Sequence, residues 1–152
     1  MTLWLDRRVA SLMRGEAARR DPYETGGVLL GYWAEESAVI ADMVGPGPSA
    51  VHGPHRFVPD AEYQETEIAE RYAASGRVIT YMGDWHSHPG GEGRISRLDL
   101  RTLRRIAREP AARLVSPIML VVFGGDPWRL AAWKWSPTRP GWWTPGCAAG
   151  CR

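Results

Sequence analysis

The run Arg77-Val-Ile-Thr-Tyr-Met-Gly-Asp-Trp-His-Ser-His88 limits the folds open to this chain more than any other segment. Its β-branched and aromatic residues predict a central strand over 77–88, interrupted only by Gly83, and Pro89-Gly90-Gly91 ends that strand in a loop. Residues two apart on a strand project from one face. His86 and His88 therefore present their imidazoles side by side, while Trp85 and Ser87 point the other way.

Other elements can be read around this strand. Val9, Leu12, Met13 and Ala17 recur at helical spacing and predict an amphipathic helix from about Asp6 to Arg20, ending before Asp21-Pro22. Thr25 to Trp33 reads as a buried strand, and Ser37 to Val44 as its antiparallel neighbour across a short polar turn. Gly45-Pro46-Gly47-Pro48 breaks the pattern, and a loop with His52 and His55 leads to Asp60, which can cap a helix running to Ser75, where Gly76 stops it. In that helix Ile68 and Tyr72 face the core, and Glu62, Glu65, Glu67 and Glu70 face water.

A further helix from Ser96 to Arg108 turns Leu100, Leu103, Ile106 and Ala107 inward and Arg101, Arg104, Arg105 and Arg108 outward. Ile118 to Phe123 and Trp128 to Trp135 read as two more strands that close the sheet. This order predicts an α/β chain of the α+β type, with a mixed, largely antiparallel sheet flanked by helices. One domain is expected over residues 1–136, followed by a Pro/Gly-rich tail at 137–152.

Composition excludes several classes of function. With 152 residues, 44% hydrophobic and 24% charged, the chain suits one folded domain with a real core. The longest apolar stretch, Pro117 to Phe123, is far shorter than the ~20 residues that cross a bilayer. The N-terminus lacks the pattern of a secretory signal, so no membrane span and a cytoplasmic location are expected. A net charge of +2 is too small to point to a nucleic-acid partner. Cys147 and Cys151 cannot by themselves complete a tetrahedral structural zinc site, and they read as tail residues. No HExxH, GxSxG or P-loop pattern is present.

Chemistry gathers at the end of the central strand. The turn after His88 lets the chain reverse, so that Asp99, in the first turn of the next helix, can return a carboxylate to the two imidazoles. Two imidazoles and a carboxylate leave a fourth zinc position open for water, as a catalytic site requires. Ser96-Arg97-Leu98-Asp99 equally fits a capping box, in which Asp99 has a purely structural role.

His86-Ser87-His88-Pro89, six residues and then Ser96-x-x-Asp99, preceded by Glu24-Thr25-Gly26-Gly27-Val28-Leu29-Leu30-Gly31, resembles the JAMM (MPN-plus, Mov34/PAD-type) zinc metallopeptidases. The resemblance spans Glu24 to Trp135, and no motif position is substituted. It implies a cytidine-deaminase-like fold, one zinc ion held by His86, His88 and Asp99, and Glu24 as the base that deprotonates the attacking water and passes the proton to the leaving amine. Ser96 would donate to the tetrahedral oxyanion, and Gly26 and Gly27 would allow close backbone approach.

Members of this family cleave isopeptide or peptide bonds after the C-terminus of ubiquitin or a ubiquitin-like protein. Phe57-x-Pro59-Asp60, Ser75-Gly76-Arg77 and Gly83-Asp84-Trp85 look more like the stand-alone bacterial deconjugating branch, which serves conjugation systems, some of them antiviral. The implied partners are a ubiquitin-like protein or its conjugates and E1- or E2-like enzymes of the same system. The substrate's extended tail could add as a strand to an open sheet edge beside the zinc. Trimming of a sulfur-carrier precursor and a non-catalytic scaffold are the alternative readings. Substrate-binding residues are not assigned.

Remaining features carry weaker expectations. His52 and His55 read as loop histidines rather than a second metal site, and the arginine-rich helix face reads as solvated. Trp133 and Trp135 share a strand face and should pack in the core, whereas Trp142 and Trp143 either fold back on an apolar patch or await a partner. Lys134 is the sole lysine among 19 basic residues. That scarcity fits a GC-rich genome, or an enzyme that offers few targets to lysine-modifying ligases.

Overall fold

The computed structural model describes residues 2–136 and the backbone of 144–146. In chain order the elements are β1 (Leu3–Leu5), α1 (Arg7–Arg20), β2 (Gly26–Ala34), β3 (Ser37–Val44), β4 (Val51–His52), β5 (Phe57–Val58), α2 (Ala61–Ala74), β6 (Thr80–Pro89), α3 (Arg97–Arg108), β7 (Ile118–Gly124), β8 (Trp128–Lys134) and β9 (Thr144–Gly146). A 3-10 turn at Pro110–Ala112 follows α3. Seven strands form one sheet in the order β1-β3-β2-β6-β7-β8-β9, and β4 and β5 form a separate hairpin. β1 on β3 and β6 on β7 run parallel; every other pair is antiparallel. The sheet is thus mixed and largely antiparallel, with β6 in its interior.

The sheet's two faces are covered differently. On one, α1 inserts Val9, Met13 and Ala17 among Leu29, Ile40, Met82, Trp85, Leu120 and Val122, all of them buried. On the other, α2 packs Ile68 on Val28, Leu30 and Val44, and α3 packs Leu103 on Met119 and Val121. Leu12, expected inward, is 46% exposed. It lies at the rim of the α1 stripe, where Ala10 and Glu16 are buried instead. Trp133 packs beside Met119 and Val121 as expected.

β6 begins at Thr80, three residues later than its composition suggests. Gly76 and Arg77 both have positive φ, and Ser75 Oγ accepts the N–H groups of Val78 and Ile79 at 3.2 and 2.9 Å, so a turn consumes those residues. At Gly83 the register against β2 shifts, and a Cβ there would lie 1.9 Å from the Ile118 carbonyl oxygen. The glycine admits the bulge and the close approach of β7. β1, the β4–β5 hairpin and the 3-10 turn are too short for periodicity to reveal. Trp142, Trp143, Cys147 and Cys151 lie outside the described residues.

Candidate metal centre and its cleft

Strand alternation sends Trp85 and Ser87 into the α1 face, fully buried, and leaves His86 and His88 half-buried on the opposite face, in the gap between α2 and α3. Their Nε2 atoms are 2.9 Å apart. Asp99 Oδ1 lies 3.5 Å from His86 Nε2, and Asp99 Oδ2 lies 3.9 Å from His88 Nε2. Among the described residues these three side chains form the one His, Cys and carboxylate group able to hold a metal ion, with donor atoms within 4.8 Å of one another. A tetrahedral ion with donors at ~2.0–2.1 Å sets those donors about 3.3 Å apart, and one donor atom from each of the three side chains lies within 4.8 Å of the others, close enough for such an ion after small side-chain adjustment. His88 Nδ1 faces the Glu92 carbonyl at 3.1 Å; donation there leaves the Nε2 lone pair for a metal.

Asp99 also completes the capping box. Ser96 Oγ accepts the Asp99 N–H at 3.1 Å, and Asp99 Oδ2 accepts the Ser96 N–H at 2.7 Å. The cap and the cluster with the histidines, which read as alternatives from the sequence, coexist because a carboxylate has two oxygens with several lone pairs. Burial alone would raise the Asp99 pKa. The hydrogen bond and charge of His86, together with Ser96, outweigh it and hold the carboxyl well below the usual range. Ser96 Oγ spends an acceptor position on the cap, and its hydroxyl proton is not used in that bond.

The loop from His88 to Ser96 is held from the side. Trp133 Nε1 donates to the Gly93 carbonyl at 3.1 Å, and Gly93 lies so close to Phe123 that a Cβ would fall 2.5 Å from its ring. This fixes where α3 starts, and with it Asp99.

Glu24 stands just before β2, half-buried, on the wall of the same cleft. Its N–H donates to the Gly53 carbonyl at 2.9 Å and its carbonyl faces His52 Nδ1 at 3.0 Å, so the β4–β5 hairpin clasps its backbone. Burial raises the pKa of its carboxyl, and the nearby His88 and His86 partly offset that rise. Gly26 and Gly27 make the close approach expected of them. A Cβ at Gly27 would meet the Val44 carbonyl oxygen at 1.9 Å, and one at Gly26 the Trp85 carbonyl oxygen at 2.5 Å.

The cleft has a volume of about 450 Å³ and runs between the hairpin, with His55, Arg56 and Phe57, and the α3 wall, with Leu98, Thr102 and Arg105. Asp84 lies on its floor and accepts the Tyr81 hydroxyl at 2.7 Å, a contact that sequence spacing gives no means to find. His55 lines the cleft, and His52 tilts against Phe57 at 5.5 Å between ring centroids; among the described residues neither is part of a metal-binding group. β6 is paired on both sides, by β2 and β7, so the main sheet has no open edge at the site.

A sheet with one helix on one face and two on the other, carrying a two-histidine, one-carboxylate cluster with a glutamate across the cleft, defines a metallopeptidase-type domain. Residues 6–136 match the model of the prokaryotic homologs of the JAB domain, and the chain belongs to that family. At the family level it is a hydrolase of the metalloprotease and isopeptidase type.

The chain is 41% identical over 140 residues to the probable metalloprotease y4qB of Sinorhizobium fredii, covering 90% of this chain and 85% of that one. It is 29% identical over 117 residues to a CD-NTase/cGAS isopeptidase of Enterobacter hormaechei, covering 76% of this chain and 63% of that relative's length. The solution structure of protein DSY2949 from Desulfitobacterium hafniense aligns with a TM-score of 0.68 over 95% of this chain and 89% of that one, at 18% identity, a likeness of fold. Among the described residues no helix is long and apolar enough to cross a membrane.

Proposed function

We propose that this chain is a zinc isopeptidase that detaches a ubiquitin-like protein from a lysine side chain, with His86, His88 and Asp99 as metal ligands. The observation that carries this reading is the convergence of those three side chains, with donor atoms within 4.8 Å of one another, in a cleft that Glu24 also lines. Three protein ligands of mixed nitrogen and oxygen type leave one coordination position open and suit zinc. When bound, zinc supplies a Lewis acid and brings the pKa of a coordinated water toward ~7.

The chain's own residues divide the remaining work. Glu24, in its carboxylate form, takes a proton from the attacking water and hands it to the departing amine. The Ser96 hydroxyl, held at the helix start by its cap, donates to the oxyanion of the tetrahedral intermediate. The β4–β5 edge lies along the cleft wall, where an extended C-terminal tail can pair with it. The likeness to relatives called CD-NTase/cGAS isopeptidases favours an isopeptide bond over a linear extension. A cytoplasmic conjugation system, antiviral in role and with E1- and E2-like partners, is the setting this proposal assigns.

The test compares cells that carry the wild-type chain with cells that carry Glu24→Ala. Mass spectrometry of lysine-branched peptides should show a modifier remnant that accumulates in the variant alone. Linear C-terminal extensions in place of branched peptides would give the site to carrier trimming. With conjugates being made and neither class accumulating, the isopeptidase reading fails.

A further inference from the structure

Ser87 and Thr25 meet at the point where β2 leaves the sheet. The last regular pair of β2 with β6 is Gly26 with His86. One residue further, the Ser87 N–H donates to the Thr25 carbonyl at 2.8 Å, as a ladder would, but the Thr25 N–H donates to Ser87 Oγ at 3.0 Å. A side-chain hydroxyl has taken the place of a backbone acceptor, so the two strands stay bonded while their backbones part. Thr25 Oγ1 in turn donates to Glu16 Oε1 on α1 at 3.3 Å. Arg20 Nε reaches the same oxygen at 3.1 Å, and Arg19 pairs with Oε2.

Thr25 and Ser87 are both 0% exposed and Glu16 is 5% exposed, so water cannot substitute for these bonds. Buried polar groups of this kind hold one geometry, because any displacement leaves a donor or acceptor unmade. Their neighbours in the chain are telling. Thr25 follows Glu24, and Ser87 separates His86 from His88. The hairpin clasps Glu24 from one side, and the Thr25 bonds hold its C-terminal side.

We propose that Glu16, Thr25 and Ser87 form a buried polar knot that fixes the distance between Glu24 and the histidine pair, with Thr25 as a positioning residue for catalysis anchored on α1. The inference rests on the reading of Glu24 as the base. Its role is distinct from metal retention, since none of the three side chains belongs to the metal-binding group.

Thr25→Val keeps the shape and removes the hydroxyl, and Glu16 retains Arg19 and Arg20. This variant should turn over roughly tenfold to a hundredfold more slowly, the range expected when a reacting group is misplaced by less than an ångström or so. KM, and metal affinity measured by chelator competition, should change by less than about threefold, and Thr25→Ser should restore kcat to within about threefold of wild type. Wild-type kcat in Thr25→Val, failure of Thr25→Ser to rescue, or an equal loss of metal affinity would each overturn the proposal.

A second measurement does not depend on turnover. In Ser87→Ala, hydrogen exchange at the residue 25 amide should quicken by about tenfold or more while the thermal transition stays cooperative, because local opening has become easier there. Unchanged exchange overturns the knot. If Glu24→Gln proves as active as wild type, the base assignment fails; a quickened amide then still supports the knot as a geometric device, and an unchanged one removes both.

Discussion

Ser96 and Asp99 bond each other twice, the Asp99 N–H to Ser96 Oγ at 3.1 Å and the Ser96 N–H to Asp99 Oδ2 at 2.7 Å. The ring they close fixes the Asp99 carboxylate and leaves Oδ1 3.5 Å from His86 Nε2; on the proposed reading, a ligand is thereby in place before the metal arrives. Pre-organisation of this kind lowers the ordering cost of ligation.

Asp99→Ala separates the two roles of that carboxylate. In metal-free protein it should cost about 1 kcal/mol, the usual loss for a helix cap, which is ~2–4 °C in thermal midpoint for a chain of this size. Wild type at a hundredfold excess of zinc over its Kd should gain ~2.7 kcal/mol, and the variant should gain almost none at that concentration. Thermal melts with and without zinc decide this. An undiminished gain in Asp99→Ala would remove Asp99 from the ligand set.

Glu24→Gln should bind zinc as wild type does and lose about a hundredfold to ten-thousandfold in kcat. Burial is the largest influence on the Glu24 carboxyl and raises its pKa above the ordinary 4.5. The base must be ionised to accept a proton. In wild type, kcat/KM therefore falls as pH drops through a midpoint above 4.5, and a pH–rate profile of a fluorogenic isopeptide substrate measures it.

Ser96→Ala should lower kcat by ~10² to 10³, the loss typical of one oxyanion donor. It should also cost about 1 kcal/mol of stability as a lost cap. Chemical denaturation and steady-state kinetics on the same preparation report the two effects separately. A variant destabilised to that extent with unchanged kcat would leave Ser96 a cap alone.

Gly27→Ala forces a methyl group to within 1.9 Å of the Val44 carbonyl oxygen, a group that also accepts the Trp85 indole N–H at 3.3 Å. Overpacking of this severity typically costs at least ~1–3 kcal/mol. Urea titration should find the midpoint lowered accordingly, and a midpoint equal to wild type would contradict the close approach of β2 and β3.

Trp133→Phe removes the donor to the Gly93 carbonyl and slackens the loop that leads into α3. Zinc should bind about tenfold more weakly, at the low end of what supporting-shell substitutions cost. Competition with a chelating dye measures the change, and unaltered affinity would show that the loop holds Asp99 without this bond.

Much of this arrangement was legible in the chain itself. Period-two alternation placed His86 and His88 on one face and Trp85 and Ser87 on the other. Helical periodicity oriented α3, and the glycines at 26 and 27 marked a close approach. These are local properties, fixed by covalent geometry within a few residues.

The rest depends on pairings between distant segments, which no local pattern encodes. Ser87 alternates into the core, and a buried hydroxyl there needs a partner, but nothing in the chain says that the partner is the Thr25 N–H 62 residues away. The Trp133 bond to Gly93 spans 40 residues, and the parallel register of β6 on β7 places Met119 and Val121 under α3. Local pattern put His86, His88 and Asp99 on the cleft side of β6 and α3, whereas His55, Asp84 and Arg105, which also line the cleft, could not be read that way. Tertiary structure alone decided the distances between them, because long-range strand registers and buried polar bonds, rather than local propensity, bring those elements together.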